Sequence, residues 1–162
     1  MDYSLDSKNG VIIDQVTRDR CIIMTKARLQ HLLSRITEIF QSGAQVIVTE
    51  ACKSAGEHYI AEIQAEKITD MKSFLKTAAQ RFTDAGLGRV EIIDFNLEKQ
   101  EFKFRVWNNF FAEMPNGEST YCNCVAAFVT GMYRGFLGKI PNIKEIKCIG
   151  RKDAYCEWHL SP

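Results

Sequence analysis

Ala127, Gly131 and Gly135 recur at four-residue spacing in a segment whose other face carries Val125, Phe128, Val129, Met132, Tyr133 and Phe136. The apolar set has the period of a helix running from about Tyr121 to Leu137. Glycine inside a helix costs about 1 kcal/mol relative to alanine. Two on one stripe therefore mark a place where the backbone of another element must come close. That single helix needs an apolar core on one side and a tightly packed neighbour on the other.

The rest of the chain offers both. "GVIID" and "RCIIM" (Gly10–Asp14, Arg20–Met24) read as a short β-hairpin. Thr25 then caps a helix bearing Leu29, Leu32, Leu33, Ile36, Ile39 and Phe40, with Gly43 as its stop. A second helical stripe runs from Ala44 to Ile63 through Ala51, Cys52, Ala55 and Tyr59. A third spans about Ile68 to Ala85, and Gly86 and Gly88 end it. There the period changes to two. Arg89–Leu97 and Glu101–Asn109 flank a polar "EKQ" turn, and Phe102, Phe104 and Val106 alternate with Lys103, Arg105 and Trp107. "FAEMPNGEST" reads as a loop whose Ser119 or Thr120 caps the glycine-bearing helix. Two strands, Ile143–Ile149 and about Ala154–Leu160, close the chain. The order β-β-α-α-α-β-β-α-β-β is an α+β fold, an antiparallel sheet built from hairpins and packed against several helices. It forms one domain, 1–162, with a hairpin and helical half (1–88) and a sheet half carrying the cysteine-bearing core (89–162).

Charge excludes some partners. With a net charge of +1 and no basic or acidic block, direct nucleic-acid binding is not expected. No apolar run reaches the ~18–20 residues that span a bilayer, and "MDYSLDSKNG" has no signal-peptide core, so a cytoplasmic protein is expected. Six cysteines in such a chain point to metal binding, redox chemistry or plain burial rather than a secreted disulfide framework. Cys21 and Cys52 stand alone in apolar surroundings and read as buried structural thiols.

The other four fall in the last quarter of the chain. In "EIKCIGRKDAYCEWHL" a hairpin turning near Lys152 sets Cys148 opposite Cys156, about 4.5–5.5 Å apart at Cβ. That suits two thiolates on one metal better than a disulfide. Glu145, three residues before Cys148, points to the opposite face of a straight strand, and joins only through a bulge. Cys122 and Cys124 open the glycine-bearing helix, where the dipole favours thiolate. Cys122, Cys148, Cys156 and one carboxylate would make a thiolate-rich set of the kind zinc prefers, with Cys124 as an alternative ligand. Spacing alone leaves metal, unligated thiols and a disulfide all open.

The segment "CNCVAAFVTGMYRGFLGKIPNIKEIKCIGRKDAYCEWHL" resembles the C-terminal core of the 4-vinyl reductase domain family, itself distantly similar to small subunits of vesicle-tethering complexes. The resemblance rests on Cys122, Gly131, Gly138, the "E-x-x-C" of Glu145 and Cys148, Cys156 and Trp158, together with the preceding "VWNNFFAE". It implies that Cys122, Glu145, Cys148 and Cys156 bind a structural zinc ion, as matching residues do in aromatic-sensing members. Four protein ligands close the coordination and argue against hydrolysis at the metal. Lys152 departs from the pattern, standing where many members have glycine.

The resemblance also implies an apolar cavity associated with aromatic hydrocarbons, phenols or tetrapyrrole precursors, and Phe102, Phe104, Trp107, Phe128 and Tyr133 are its candidate lining. No catalytic constellation and no flavin or nicotinamide motif is visible. The first expectation is therefore a zinc-containing binding module for a small apolar ligand, sensory or carrier in role. The alternatives are a cysteine-based redox sensor acting through a partner protein and an accessory protein or reductase of tetrapyrrole metabolism. The Leu29–Phe40 helix and the small-residue helix expose enough apolar face to suggest a homodimer.

Overall fold

The computed structural model describes residues 2–15, 18–65, 68, 70–113 and 121–162. At the N-terminus, β1 (Tyr3–Asp6), β2 (Val11–Asp14) and β3 (Arg20–Cys21) form an antiparallel sheet in that order. The expected pairing of β2 with β3 is present, at Ile12 with Cys21 and Ile13 with Arg20. Two differences from expectation stand out: β1 is an additional strand, and β3 is shorter. β1 is only four residues long and exposed throughout, Tyr3 and Leu5 included, so its brief alternation buries nothing.

Helix α1 (Lys26–Phe40) starts at Thr25, whose side chain accepts from the Arg28 N–H. It breaks at Gln41, which takes a positive φ of 48°, and not at Gly43, which lies in the first turn of α2 (Ser42–Ala65). Helix α3 (Met71–Asp84) is capped by Asp70, which accepts from the Ser73 N–H at 2.9 Å. The proposed cap at Ser119 or Thr120 lies outside the described residues. Helix α4 (Cys122–Leu137) begins at Tyr121 without a side-chain cap and ends at Gly138 in the left-handed region.

β4 (Arg89–Asn96), β5 (Glu101–Trp107), β6 (Asn142–Lys147) and β7 (Cys156–Ser161) make a four-stranded sheet in the order β4-β5-β7-β6. Every described pairing in it is antiparallel. Phe102, Phe104 and Val106 face inward opposite Leu160, Trp158 and Cys156, and all six are buried. The main core lies between this face and helices α2, α3 and α4. The fold is α+β, as the periods require.

The small stripe of α4 meets α2 directly. A Cβ on Gly131 would stand 2.0 Å from the Lys53 carbonyl oxygen, and one on Gly56 would stand 2.0 Å from that of Phe128. Gly135 lies over Ile60 in the same way. The glycines are thus consumed inside the chain, which corrects the expectation that this face is available to a second copy.

Candidate functional site

Three sulfurs converge where α4 begins and β6 and β7 meet. Cys122, Cys148 and Cys156 are wholly buried, and their Sγ atoms all lie within 4.8 Å of one another. Cys122 Sγ is 3.1 Å from Cys148 Sγ and 3.9 Å from Cys156 Sγ. A tetrahedral zinc with Zn–S bonds of about 2.3 Å holds its sulfurs about 3.8 Å apart, close to this spacing. The three buried cysteines are thus able to hold a metal ion.

The surroundings favour charge on sulfur. Cys156 Sγ accepts from Asn109 Nδ2 and from the Ile149 N–H, each at 3.4 Å. A hydrogen bond from Cys122, together with these two, draws the Cys156 thiol down to about 6, against its burial. Cys122, as donor to Cys156, is pushed up, and burial raises Cys148. One member of the cluster therefore ionises well before the others. A cation would relieve the whole set.

The final loop is held from below. The Cys148 N–H donates to Asp153 Oδ2 at 2.8 Å, and the Cys148 carbonyl accepts from the N–H groups of Arg151 and Asp153. A 3-10 turn (Ile149–Arg151) follows, and Lys152 ends it at φ 71°. This is the place where the family pattern has glycine, and the reason is now geometric: the turn needs a left-handed residue.

Glu145 reaches the inner face because β6 is bulged. Its register with β7 shifts between Glu145, opposite Trp158, and Lys147, opposite Glu157. Ile146 is the extra residue, so Glu145 and Cys148 come to the same face, which a straight strand would forbid. Glu145 Oε2 pairs with Arg151 Nη2 at 3.3 Å, while Oε1 is buried with no hydrogen-bond partner among the described residues. The Glu145 charge also adds to the rise of the Cys148 thiol, after burial. Glu145 stands outside the tight three-sulfur set, and its open oxygen suits a fourth donor.

Cys124 is not in this cluster. Two residues along α4 it joins a second buried cluster against which Cys52 packs, which corrects both its standing as an alternative ligand and the view of Cys52 as a thiol alone. Asn109 joins the site without having been expected there. It is fully buried, its Nδ2 on Cys156 and its Oδ1 on the Phe111 N–H, after Asn108 at φ 50°. The pair "NN" closing a strand is the signal in the sequence that could have found it.

A second feature lies on the other side of α4. Leu75, Ala78, Ala79, Phe82, Val90, Ile92, Phe102, Phe104, Val125, Phe128, Val129 and Met132 line a pocket of about 40 Å³ with a purely apolar wall. Leu75, Ala79, Val90 and Ile92 also floor an outer cleft of about 470 Å³ between α3 and β4, rimmed by Lys72, Lys76 and Asp94. Phe102, Phe104 and Phe128 are thus brought together. Tyr133 meets Phe102 in a separate cleft of about 190 Å³ with Met71 and Leu137. Trp107 belongs to neither: on the outer face of β5 it packs on Tyr155, with Nε1 on Glu91. The alternation along β5 already placed it with Lys103 and Arg105.

No protein-family model matches this sequence, and no curated protein does. Solved structures do. The phenol-responsive sensory domain of the transcription activator PoxR, solved with phenol, superimposes with a TM-score of 0.80 at 17% identity, covering 99% of this chain and 84% of that one. A trafficking protein particle complex subunit 3 from Naegleria fowleri, covalently bound to palmitic acid, gives 0.62 at 12% identity over 84% of this chain and 91% of its own. A vinyl-4-reductase family protein from Methanocaldococcus jannaschii gives 0.46 at 15% identity over 87% and 98%. The chain has the fold of that phenol-responsive sensory domain and of the trafficking particle subunit. Among the described residues no helix is long and apolar enough to cross a membrane.

Proposed function

We propose that this chain is a cytoplasmic sensory or carrier module that binds a small apolar or aromatic molecule between α3, α4 and the sheet, and that a structural zinc ion fastens its C-terminal hairpin. The observation that carries the reading is the small, wholly apolar pocket, set within a fold shared with a phenol-responsive domain. Its volume of about 40 Å³ exceeds the ~10–15 Å³ needed by one water, and its walls give a water nothing to bond. A single ring needs more room, and Met132, unbranched and adaptable, is the wall residue best suited to yield. A tetrapyrrole is too large for this space, so a one-ring ligand is favoured.

Zinc would be held by Cys122, Cys148 and Cys156, with Glu145 Oε1 as the fourth donor. It would supply a closed cross-link between α4 and the β6–β7 hairpin, not a reacting centre. The chain's own part is to hold the sulfurs at metal spacing, donate N–H groups from Asn109 and Ile149, and anchor Glu145 through Arg151. The apolar surface left on α1 fits a homodimer, with Leu32, Ile39 and Phe40 exposed.

Two measurements test this. Elemental analysis of protein purified without chelator should find about one zinc per chain, lost in Cys148→Ser; absence of metal in the parent protein refutes the clasp. Calorimetric titration with phenol should show saturable binding that the cavity-filling variant Ala78→Val weakens at least about tenfold. Equal binding by both proteins would move the ligand elsewhere.

A further inference from the structure

Helices α2 and α4 run parallel through their contact, since Cys52, Gly56 and Ile60 on one meet Cys124, Phe128 and Gly135 on the other. Their backbones come closest where Gly56 abuts the Phe128 carbonyl and Gly131 abuts that of Lys53. One turn before Gly56 is Cys52, and one turn before Phe128 is Cys124. The close approach therefore brings these two side chains together, and Cys52 packs against the buried cluster that holds Cys124. Cys124 is buried, whereas Cys52 is only half-buried. The wholly buried sulfurs of Cys122, Cys148 and Cys156 lack that access.

We propose that Cys52 and Cys124 form an oxidisable dithiol, separate from the three-sulfur cluster, which a hydroperoxide converts to a disulfide tethering α2 to α4. The Cys52 thiolate attacks the distal peroxide oxygen. The O–O bond breaks, the alkoxide or hydroxide leaves and takes a proton, and Cys52 becomes a sulfenic acid. The Cys124 sulfur then attacks the Cys52 sulfur, the S–S bond forms, and the S–O bond breaks to release water. Two thiols and one hydroperoxide give one disulfide, one alcohol (or water) and one water. The two sulfur electrons lost are those that reduce the peroxide. A thiol reductant restores the dithiol. The tether fixes the first turn of α4, two residues from Cys122, to α2.

The test is peptide mapping of the full chain after stoichiometric hydrogen peroxide, with free thiols alkylated under native-to-denaturing transfer. The intact protein should lose two hydrogen masses. The unreduced tryptic digest should join the peptide ending at Lys53 to the one ending at Arg134. That second peptide holds both Cys122 and Cys124, so fragmentation must place the bond on Cys124. Cys52→Ser should remove the link, and Cys21→Ser should leave it. A bond from Cys52 to Cys122, a bond confined to Cys122, Cys148 and Cys156, a sulfinic acid at Cys52 without a link, or full alkylation of Cys52 and Cys124 would each overturn the proposal. The deciding linkage is read in the unaltered sequence, so a variant that folds poorly does not obscure it.

Discussion

The two halves of this molecule treat apolar surface in opposite ways. From Arg89 onward the inward residues of β5 and β7 are buried to a few per cent or less, and the sulfurs at the end of β6 and the start of α4 are sealed completely. Before α2 the pattern reverses. β1 is exposed along its length, Ile22 and Ile23 are 77% and 81% exposed, and α1 buries only Leu33. α1 is held to the rest through Tyr121, whose hydroxyl hydrogen-bonds Thr37 and the Leu33 carbonyl. The sheet and the helices α2, α3 and α4 packed on it complete a core, whereas the segment before α2 presents side chains that gain stability only by being covered.

The joint between the halves is where the contrast is most easily undone. Gly131→Ala places a methyl group 2.0 Å from a backbone oxygen of α2, which no rotamer change relieves. We expect a loss of about 3 kcal/mol or more. In a chain of this length that lowers Tm by about 6–12 °C. Thermal denaturation by circular dichroism reads it. A variant as stable as the parent would show that the helices separate freely and that the two halves are independent.

The next effect lies within the C-terminal half. Asn109→Ala removes the Nδ2 donor to Cys156 and the acceptor for the Phe111 N–H. If the thiols carry metal, affinity should fall about 10–100-fold, the range for partners that orient ligands. Competition with a zinc-sensitive dye measures it. Unchanged affinity would reduce Asn109 to a turn residue.

This half was also the more legible one. Alternation along β5 and the i, i+4, i+8 small residues of α4 report burial and close approach directly, and the structure uses both as written. The convergence of Cys122, Cys148 and Cys156 followed from hairpin pairing and the helix start. Three features stayed hidden for physical reasons. The bulge at Ile146 decides where Glu145 points, yet a bulge has no residue signature here. Cys52 meets Cys124 through a contact between elements distant in sequence, which spacing does not report. β1 alternates over only four residues and buries none of them, too short a run to separate from a loop.

Filling the cavity separates ligand binding from stability. Ala78→Val adds two methyl groups to a wall of the about 40 Å³ space. Because it occupies an existing void, stability should change by less than about 1.5 kcal/mol. Affinity for phenol should fall at least about tenfold, which calorimetry resolves. Stability lost without any change in binding would mean that the void is packing slack and not a ligand site.

Lys152→Gly should have a smaller effect, and of opposite sign. Lys152 holds φ 71° at the turn that presents Cys148 and Cys156. An L-residue there costs about 1 kcal/mol that glycine avoids, partly offset by the greater freedom of glycine in the unfolded chain. Tm should rise by about 1–3 °C with metal content unchanged. A fall would mean that the Lys152 side chain contributes more to the loop than its backbone strain removes.

The smallest effect on stability belongs to the exposed half. Ile22→Ser with Ile23→Ser alters two side chains that the rest of the chain scarcely touches, so the monomer should stay within about 0.5 kcal/mol of the parent. What should change is association. If a second copy covers β3 and α1, sedimentation of the parent protein at micromolar concentration gives a dimer and the double variant gives a monomer. Two monomers of equal stability would leave the segment before α2 uncovered by its own kind, and its apolar surface would then point to a different protein as its cover.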